Sequence, residues 1–198
     1  LHIAEAEVET AMRAILGEAP VGRVLDIGTG TGRMIELFAR DAERFVALDN
    51  SVEMLRLARA KLGGLEDGAA VQAHTEIVLG DFNTLPFPDG SFDTILFHQV
   101  LHYAQHPERA IAEAARALAP DGRLLVVDFA AHDLEELRSV HAHARLGFTD
   151  ESISRAFAGA GLVPARTETL AGGKLAVKIW LGQRGQSASE SPKLRIVA

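Results

Sequence analysis

The stretch "VLDIGTGTG", Val24–Gly32, constrains the fold more than any other. An apolar strand runs into an acid and then into three glycines at alternate positions. Glycine lets the backbone turn sharply and lets a ligand approach it closely. Such a strand–loop–helix unit opens the nucleotide-binding class of α/β folds. Gly28, Gly30 and Gly32 give G-x-G-x-G, with Arg33 following. The dinucleotide fingerprint needs G-x-G-x-x-G, and the phosphate-binding loop needs a Lys after its last glycine. Both pyrophosphate readings, a nicotinamide-dependent oxidoreductase among them, lose ground.

The rest of the chain repeats the alternation of strand and helix. Residues 3–16 put Val8, Met12 and Ile15 on one helical face, ended by Gly17 and Pro20. "RFVALDNS" predicts a second strand, and Ser51 a cap for a helix over 52–62. "HTEIVLGDF" is a third strand. "FDTILFHQVLHY" begins as a fourth and leaves it near His98. Pro107 suits the first position of a helix over 107–118, closed by Pro120-Asp121-Gly122. "RLLVVDF" is a fifth strand, residues 133–145 read as helical, and Thr149 caps a helix over 150–160. "LVPARTETL" and "KLAVKIWLG" are strands joined through Gly172-Gly173, a tight-hairpin signal. The expectation is one α/β domain over 1–183 with 1–20 as a helical lead-in. Its sheet is seven-stranded and mostly parallel, with an antiparallel C-terminal hairpin and helices on both faces. Residues 184–198 are polar and Ser-rich and read as a loose tail. In such sheets ligands sit beyond the carboxyl ends of the strands. The loops after Asp26, Asp49, Asp81, His98 and Asp128 should therefore share one edge.

Composition narrows the partners. The chain has 198 residues, a formal charge of -7 and no cysteine. The charge argues against a basic nucleic-acid surface on this domain. The absence of cysteine excludes disulfides, thiolate zinc sites and Cys nucleophiles, and fits a cytoplasmic home. No apolar run is long enough to span a bilayer. A small molecule is the expected partner. A homodimer stays open.

"VLDIGTGTGRMIELFA", "VALDNS", "GDFNTLPFPDGSFDTILFHQVLHY" and "LAPDGRLLVVDF" follow one another in order over roughly residues 20–181. This series resembles the class I S-adenosylmethionine (SAM)-dependent methyltransferases, in particular the ubiquinone/menaquinone C-methyltransferase-like group. The resemblance implies a Rossmann-like fold, SAM as cofactor and S-adenosylhomocysteine as product. It puts Gly28, Gly30 and Gly32 against the methionine and ribose portion. Asp26 would orient the amino group, directly or through water, or tie down its own loop. Asp49, seventeen residues after Gly32, would accept both ribose hydroxyls. Asn50 and Met54 would cover the adenine, although Met54 also serves as core on an amphipathic helix. Asp81, flanked by Phe82, would accept from the adenine amino group. His98 would lie near the methionine portion or the methyl. Asp128 matches no role in the family and is read as structural.

Methyl transfer needs a positioned acceptor, and a general base where that acceptor must lose a proton. The candidate catalytic residues are His98, His102 and Tyr103, the two histidines sharing one face if that stretch is helical. His132, His141 and His143 are candidates for the acceptor lining. A metal at His141-Ala-His143 is rejected, because alternate residues on a helix point apart and methyl transfer from SAM needs none. Arsenite is rejected as acceptor, since that chemistry relies on cysteines. The stretch from Phe97 to Glu151 is also similar to the methyltransferase domain of bacterial ArsR-type regulator fusions. That similarity raises the expectation of a DNA-binding segment ahead of Leu1 in a longer protein, and of a SAM/S-adenosylhomocysteine sensor as the alternative to an enzyme.

Overall fold

The computed structural model describes residues 5–137, 144–172 and 175–185. Seven strands form one sheet: β1 (Arg23–Ile27), β2 (Arg44–Asp49), β3 (Thr75–Leu79), β4 (Phe92–His98), β5 (Leu118–Phe129), β6 (Leu162–Leu170) and β7 (Val177–Arg184). Their spatial order is β3-β2-β1-β4-β5-β7-β6. The first five pair in parallel, and β7 runs antiparallel to both β5 and β6. The order reverses between β1 and β4, which opens a crevice at the carboxyl ends of these two strands.

Alternation along each strand sorts the side chains. Val24, Ala47, Leu96 and Leu125 face a core shared with α1 (Glu5–Leu16), α2 (Arg33–Phe38) and α3 (Val52–Gly63). Leu25, Val46, Ile95 and Leu124 face a second core shared with α5 (Pro107–Ala117) and α6 (Asp150–Gly159). A sheet buried on both faces needs continuous apolar strands, and these strands supply them. A short α4 (Gly68–Gln72), not evident in the sequence pattern, leads into β3. No helix follows β3. Instead the loop over 80–91 packs Leu85 and Phe87 into the second core, and Arg116 of α5 donates to the carbonyls of Leu85 (3.3 Å) and Phe87 (2.9 Å). The helix caps come out as read: Ser51 Oγ accepts from Met54 N–H, and Thr149 forms a reciprocal box with Ser152. Helix α1 packs against β6 and β7. Its C-terminal carbonyls accept from Arg123, at Leu16 O (3.0 Å), and from Arg166, at Ala14 O (3.3 Å).

Several local expectations are corrected. β5 starts at Leu118, and Ala119–Gly122 form a bulge with Asp121 at φ 61°, so Pro120-Asp121-Gly122 bends a strand rather than only closing a helix. "HQVLHY" is not helical: β4 ends at His98, Gln99 takes φ 52°, and a single 3-10 turn covers Leu101–Tyr103. Of residues 133–145, Glu136 and Leu137 are helical as expected, and 138–143 lie outside the described residues. Glu135 N–H turns back to Asp133 O, and residues 144–146 are bends. The last two strands close at Leu170↔Val177, so their connection spans 171–176 and is no two-residue turn. Arg184 belongs to β7 and not to a tail, because its guanidinium donates to the carbonyls of Ala115, Arg116 and Leu118 at the end of α5. Residues 186–198 lie outside the described residues. No described helix is long and apolar enough to cross a membrane.

Phe157 of α6 is 1 % exposed and lies against Gly182 of β7, where a Cβ would meet its ring at 2.9 Å. Phe157→Ala should cost about 3–5 kcal/mol, read as a lowered midpoint of urea unfolding at unchanged slope.

Candidate functional site

The glycine loop is built by its neighbours. Gly28 and Thr29 both donate N–H to Leu48 O of β2 (2.8 and 3.0 Å). A Cβ on Gly28 would overlap the Val100 side chain, and one on Gly32 would crowd Ala58 of α3 at 3.1 Å. Both glycines also take positive φ. Their missing side chains are therefore demanded by packing within the protein. Gly30 differs: a Cβ there meets nothing within 4 Å, so this residue fronts open space.

Two carboxylates sit on the strands that carry and hold this loop. Asp49 ends β2 and is 8 % exposed. Its Oδ2 accepts Gly30 N–H and its Oδ1 accepts Ser51 N–H, both at 2.8 Å. Each oxygen keeps a further lone pair. Asp26 lies within β1 and is fully buried. The Thr29 hydroxyl lies close enough to ease its ionisation, yet neither Asp26 oxygen nor Thr29 Oγ1 has a hydrogen-bond partner among the described residues. Burial pushes the Asp26 carboxyl up to about 7, and the Asp49 charge adds to the rise. A buried carboxylate of this kind calls for a cationic partner.

The other predicted cofactor residues follow around the edge. Gly80 donates to Asp49 O (3.0 Å) and so ties the loop after β3 to β2. Asp81 is exposed, and its Oδ1 accepts from Asn83 N–H (2.7 Å) and Nδ2 (2.8 Å) in a local turn. Phe82 is half-buried against the second core. Asn50 is exposed, and Met54 is half-buried on the first turn of α3. His98 closes β4 with its basicity lowered by burial, against the opposing pull of Asp128, Glu5 and Glu9, while Arg33 adds to the lowering. Glu9 and Arg33 are themselves paired, which fastens α1 to the start of α2 beside the loop.

Past β4 the site changes character. His102 is 2 % exposed. Its Nδ1–H donates to Asp128 Oδ1 (2.7 Å) and its main-chain N–H to Asp128 Oδ2 (3.1 Å). Phe129 N–H completes the set at Oδ1 (2.8 Å). Asp128, read from the sequence as structural, is thus the buried partner of His102. The signal was an acid at the end of β5 with a histidine after β4, two adjacent parallel strands. Tyr103 is 47 % exposed, its ring 4.2 Å from that of His102. His132 Nδ1 accepts from Leu134 N–H (3.2 Å). The structure thus gathers Asp26, the glycine loop, Asp49 and His98 on one side, and His102, Tyr103, Asp128 and His132 on the other. His141 and His143 lie outside the described residues. A separate groove of about 670 Å³ runs between α5 and α6, lined by Ile111, Arg145, Phe148 and Ile153 among others, and none of the predicted cofactor residues borders it.

Comparison with known proteins agrees with this arrangement. A family model described as "Methyltransferase domain" matches residues 25–126. The chain is 32% identical over 126 residues to demethylmenaquinone methyltransferase of Renibacterium salmoninarum, covering 64% of this chain and 49% of that protein. It is 39% identical over 110 residues to ubiquinone/menaquinone biosynthesis C-methyltransferase UbiE of Stutzerimonas stutzeri, covering 54% and 41%. The chain thus spans about half the length of these curated relatives or less. Among solved structures, an S-adenosylmethionine dependent methyltransferase from Mesorhizobium loti superposes with a TM-score of 0.71 at 18% identity, covering 92% of this chain and 98% of the other. The YcgJ protein of Bacillus subtilis does so with 0.72 at 20%, covering 91% and 100%. These two share the fold.

The raised pKa of Asp26 makes stability depend on pH. Its native pKa, about 7, exceeds the ordinary 3.8, so the folded state holds the proton more tightly between those values. Stability of the ligand-free protein should therefore fall as pH rises from about 4 to about 7 and stay low above. Asp26→Asn should remove that decline and be the more stable form at pH 8, by a few kcal/mol at most, as melting temperatures across pH 5–8 would show.

Proposed function

The chain belongs to the methyltransferase-domain family, and on that premise we propose that it transfers a methyl group from SAM to a small acceptor of the quinol type, releasing S-adenosylhomocysteine. The observation that carries the reading is Asp26. It is a fully buried acid on β1, just ahead of the glycine loop, whose oxygens have no hydrogen-bond partner among the described residues. SAM brings an ammonium that answers such a carboxylate, and a sulfonium that makes its methyl group electrophilic.

The residues divide the work. We assign Asp26 to the ammonium and Gly30 to the backbone surface along the methionine and ribose portion. The spare lone pairs of Asp49 are assigned to the ribose hydroxyls, with Gly28 and Gly32 shaping the loop from behind. Asn50, Met54, Asp81 and Phe82 are assigned to the adenine end, and His98 to the methyl end. His102, Tyr103 and His132 are assigned to the acceptor. The identity of the acceptor rests on the relatives alone, whose printed names include demethylmenaquinone and ubiquinone/menaquinone methylation. The reading includes a cytoplasmic home and no direct contact of this domain with nucleic acid, the latter supported by the net charge of -7.

Calorimetry with SAM and with S-adenosylhomocysteine is the first test, followed by a screen of reduced naphthoquinols as methyl acceptors. Failure of both adenosyl ligands to bind overturns the reading. Asp49→Ala should weaken both by the same factor, about tenfold or more, since the ribose is common to them and each charge-assisted hydrogen bond is worth about 1.5–3 kcal/mol. Unchanged affinities would remove Asp49 from the ribose site.

A further inference from the structure

The loop over 80–91 is the whole connection from β3 to β4 and has no helix of its own. β2 and β1 lie between those two strands in the sheet. The loop therefore crosses their face, with Phe82, Leu85 and Phe87 against the core that holds Val46 and Leu48. It leaves β3 in close contact with β2, since a Cβ on Gly80 would meet the Leu48 side chain at 2.8 Å. An irregular segment laid on a core needs partners for its main-chain groups.

Two side chains of α5 supply them. Glu113 Oε1 accepts Leu85 N–H (2.9 Å), and Arg116 Nη2 donates to Leu85 O (3.3 Å). Arg116 Nη1 donates to Phe87 O (2.9 Å) and to Asp89 Oδ1 (2.6 Å). The two side chains also form a bidentate pair, Nε to Oε2 (2.9 Å) and Nη2 to Oε1 (2.7 Å). Hydrogen bonds from Arg116 hold the Glu113 carboxyl below its ordinary value, so the clamp is ionic at neutral pH. Its base is fixed in turn. α5 buries Ala110, Ile111 and Ala114, and Arg184 of β7 takes carbonyls at its end.

Leu85 lies four residues after Asp81, and the chain between them is a closed turn. Thr84 N–H donates to Asp81 O (3.2 Å), and Asp81 Oδ1 accepts from Asn83 N–H and Nδ2. The turn is pinned by β2 at Gly80, through Asp49 O, and by α5 at Leu85. We propose that Glu113 and Arg116 are positioning residues of the cofactor site, holding Asp81 and Phe82 in place for the adenine. This rests on the methyltransferase reading above. It adds to the site a helix that carries none of the assigned contacts. The effect is selective, because the glycine loop and the Asp49 carboxylate are held by bonds that do not involve α5. Loosening the clamp should cost the adenine its contacts and spare the ribose and methionine portions.

S-adenosylhomocysteine and S-ribosylhomocysteine separate these portions, since the second carries a hydroxyl in place of the base. Calorimetry of both on the whole chain, the weaker by displacement, gives an affinity ratio that measures the base. Arg116→Lys keeps the charge but not the fork that spans Glu113 and the loop. It should lower the ratio about fivefold or more, by weakening S-adenosylhomocysteine while S-ribosylhomocysteine stays within about twofold. Glu113→Leu should act alike, and Glu113→Gln, which keeps an oxygen for Leu85 N–H, should retain most of the ratio. A purely structural clamp would weaken both ligands by one factor. That result, or an unchanged ratio in Arg116→Lys, overturns the proposal. Asp81→Ala and Phe82→Ala separate the two levels. If neither lowers the ratio, the adenine assignment itself fails. If they lower it and Arg116→Lys does not, the clamp alone fails.

Discussion

Asp49 joins three parts of the sheet edge, two through its carboxylate and one through its main-chain carbonyl. Through Gly30 N–H it holds the loop after β1, and through Ser51 N–H it holds the entry to α3. The carbonyl of the same residue takes Gly80 N–H from the loop after β3. Neighbouring parallel strands bring these loops close, but each could adopt other conformations alone. Charge-assisted hydrogen bonds at a nearly buried acid select one of them. The crevice at the strand-order reversal is thus held in shape by the protein's own hydrogen bonds, which lowers the ordering cost of binding.

Asp26 and Asp128 show two ways to place a buried carboxylate. Asp128 has three N–H donors from the protein and is satisfied internally. Asp26 has no such donor among the described residues, and burial pushes its carboxyl up to about 7. One acid stabilises the fold around a histidine. The other costs stability when ionised and becomes useful only when a cation completes it.

The sheet was legible because both its faces are buried. Runs such as Arg44–Asp49 and Arg123–Phe129 carry apolar residues on consecutive positions, bounded by Gly, Pro or an acid, and those signals are local. Asp49 and the glycine loop were legible for the same reason. What escaped depends on contacts distant in sequence. "HQVLHY" has helical spacing, yet Gln99 N–H stays bonded to Val127 O of the neighbouring strand and His102 is claimed by Asp128. Arg184 looked like tail because its acceptors are carbonyls some seventy residues earlier.

The position of α1 has a bearing on how the chain acquires its structure. The first described helix rests on the last two strands, and arginines at 123 and 166 take the carbonyls at its end. Its apolar face, with Val8, Met12 and Ile15, has no complete surface to meet until β6 and β7 exist. On the ribosome this helix emerges well before the strands it rests on. For most of synthesis it carries an exposed greasy stripe, a target for chaperones and a hazard for aggregation. The docking of α1 on β6 and β7 is a long-range contact, and such contacts slow folding. The same docking brings Glu9 to Arg33 at the glycine loop. The Glu9–Arg33 pair beside the glycine loop therefore waits on β6 and β7.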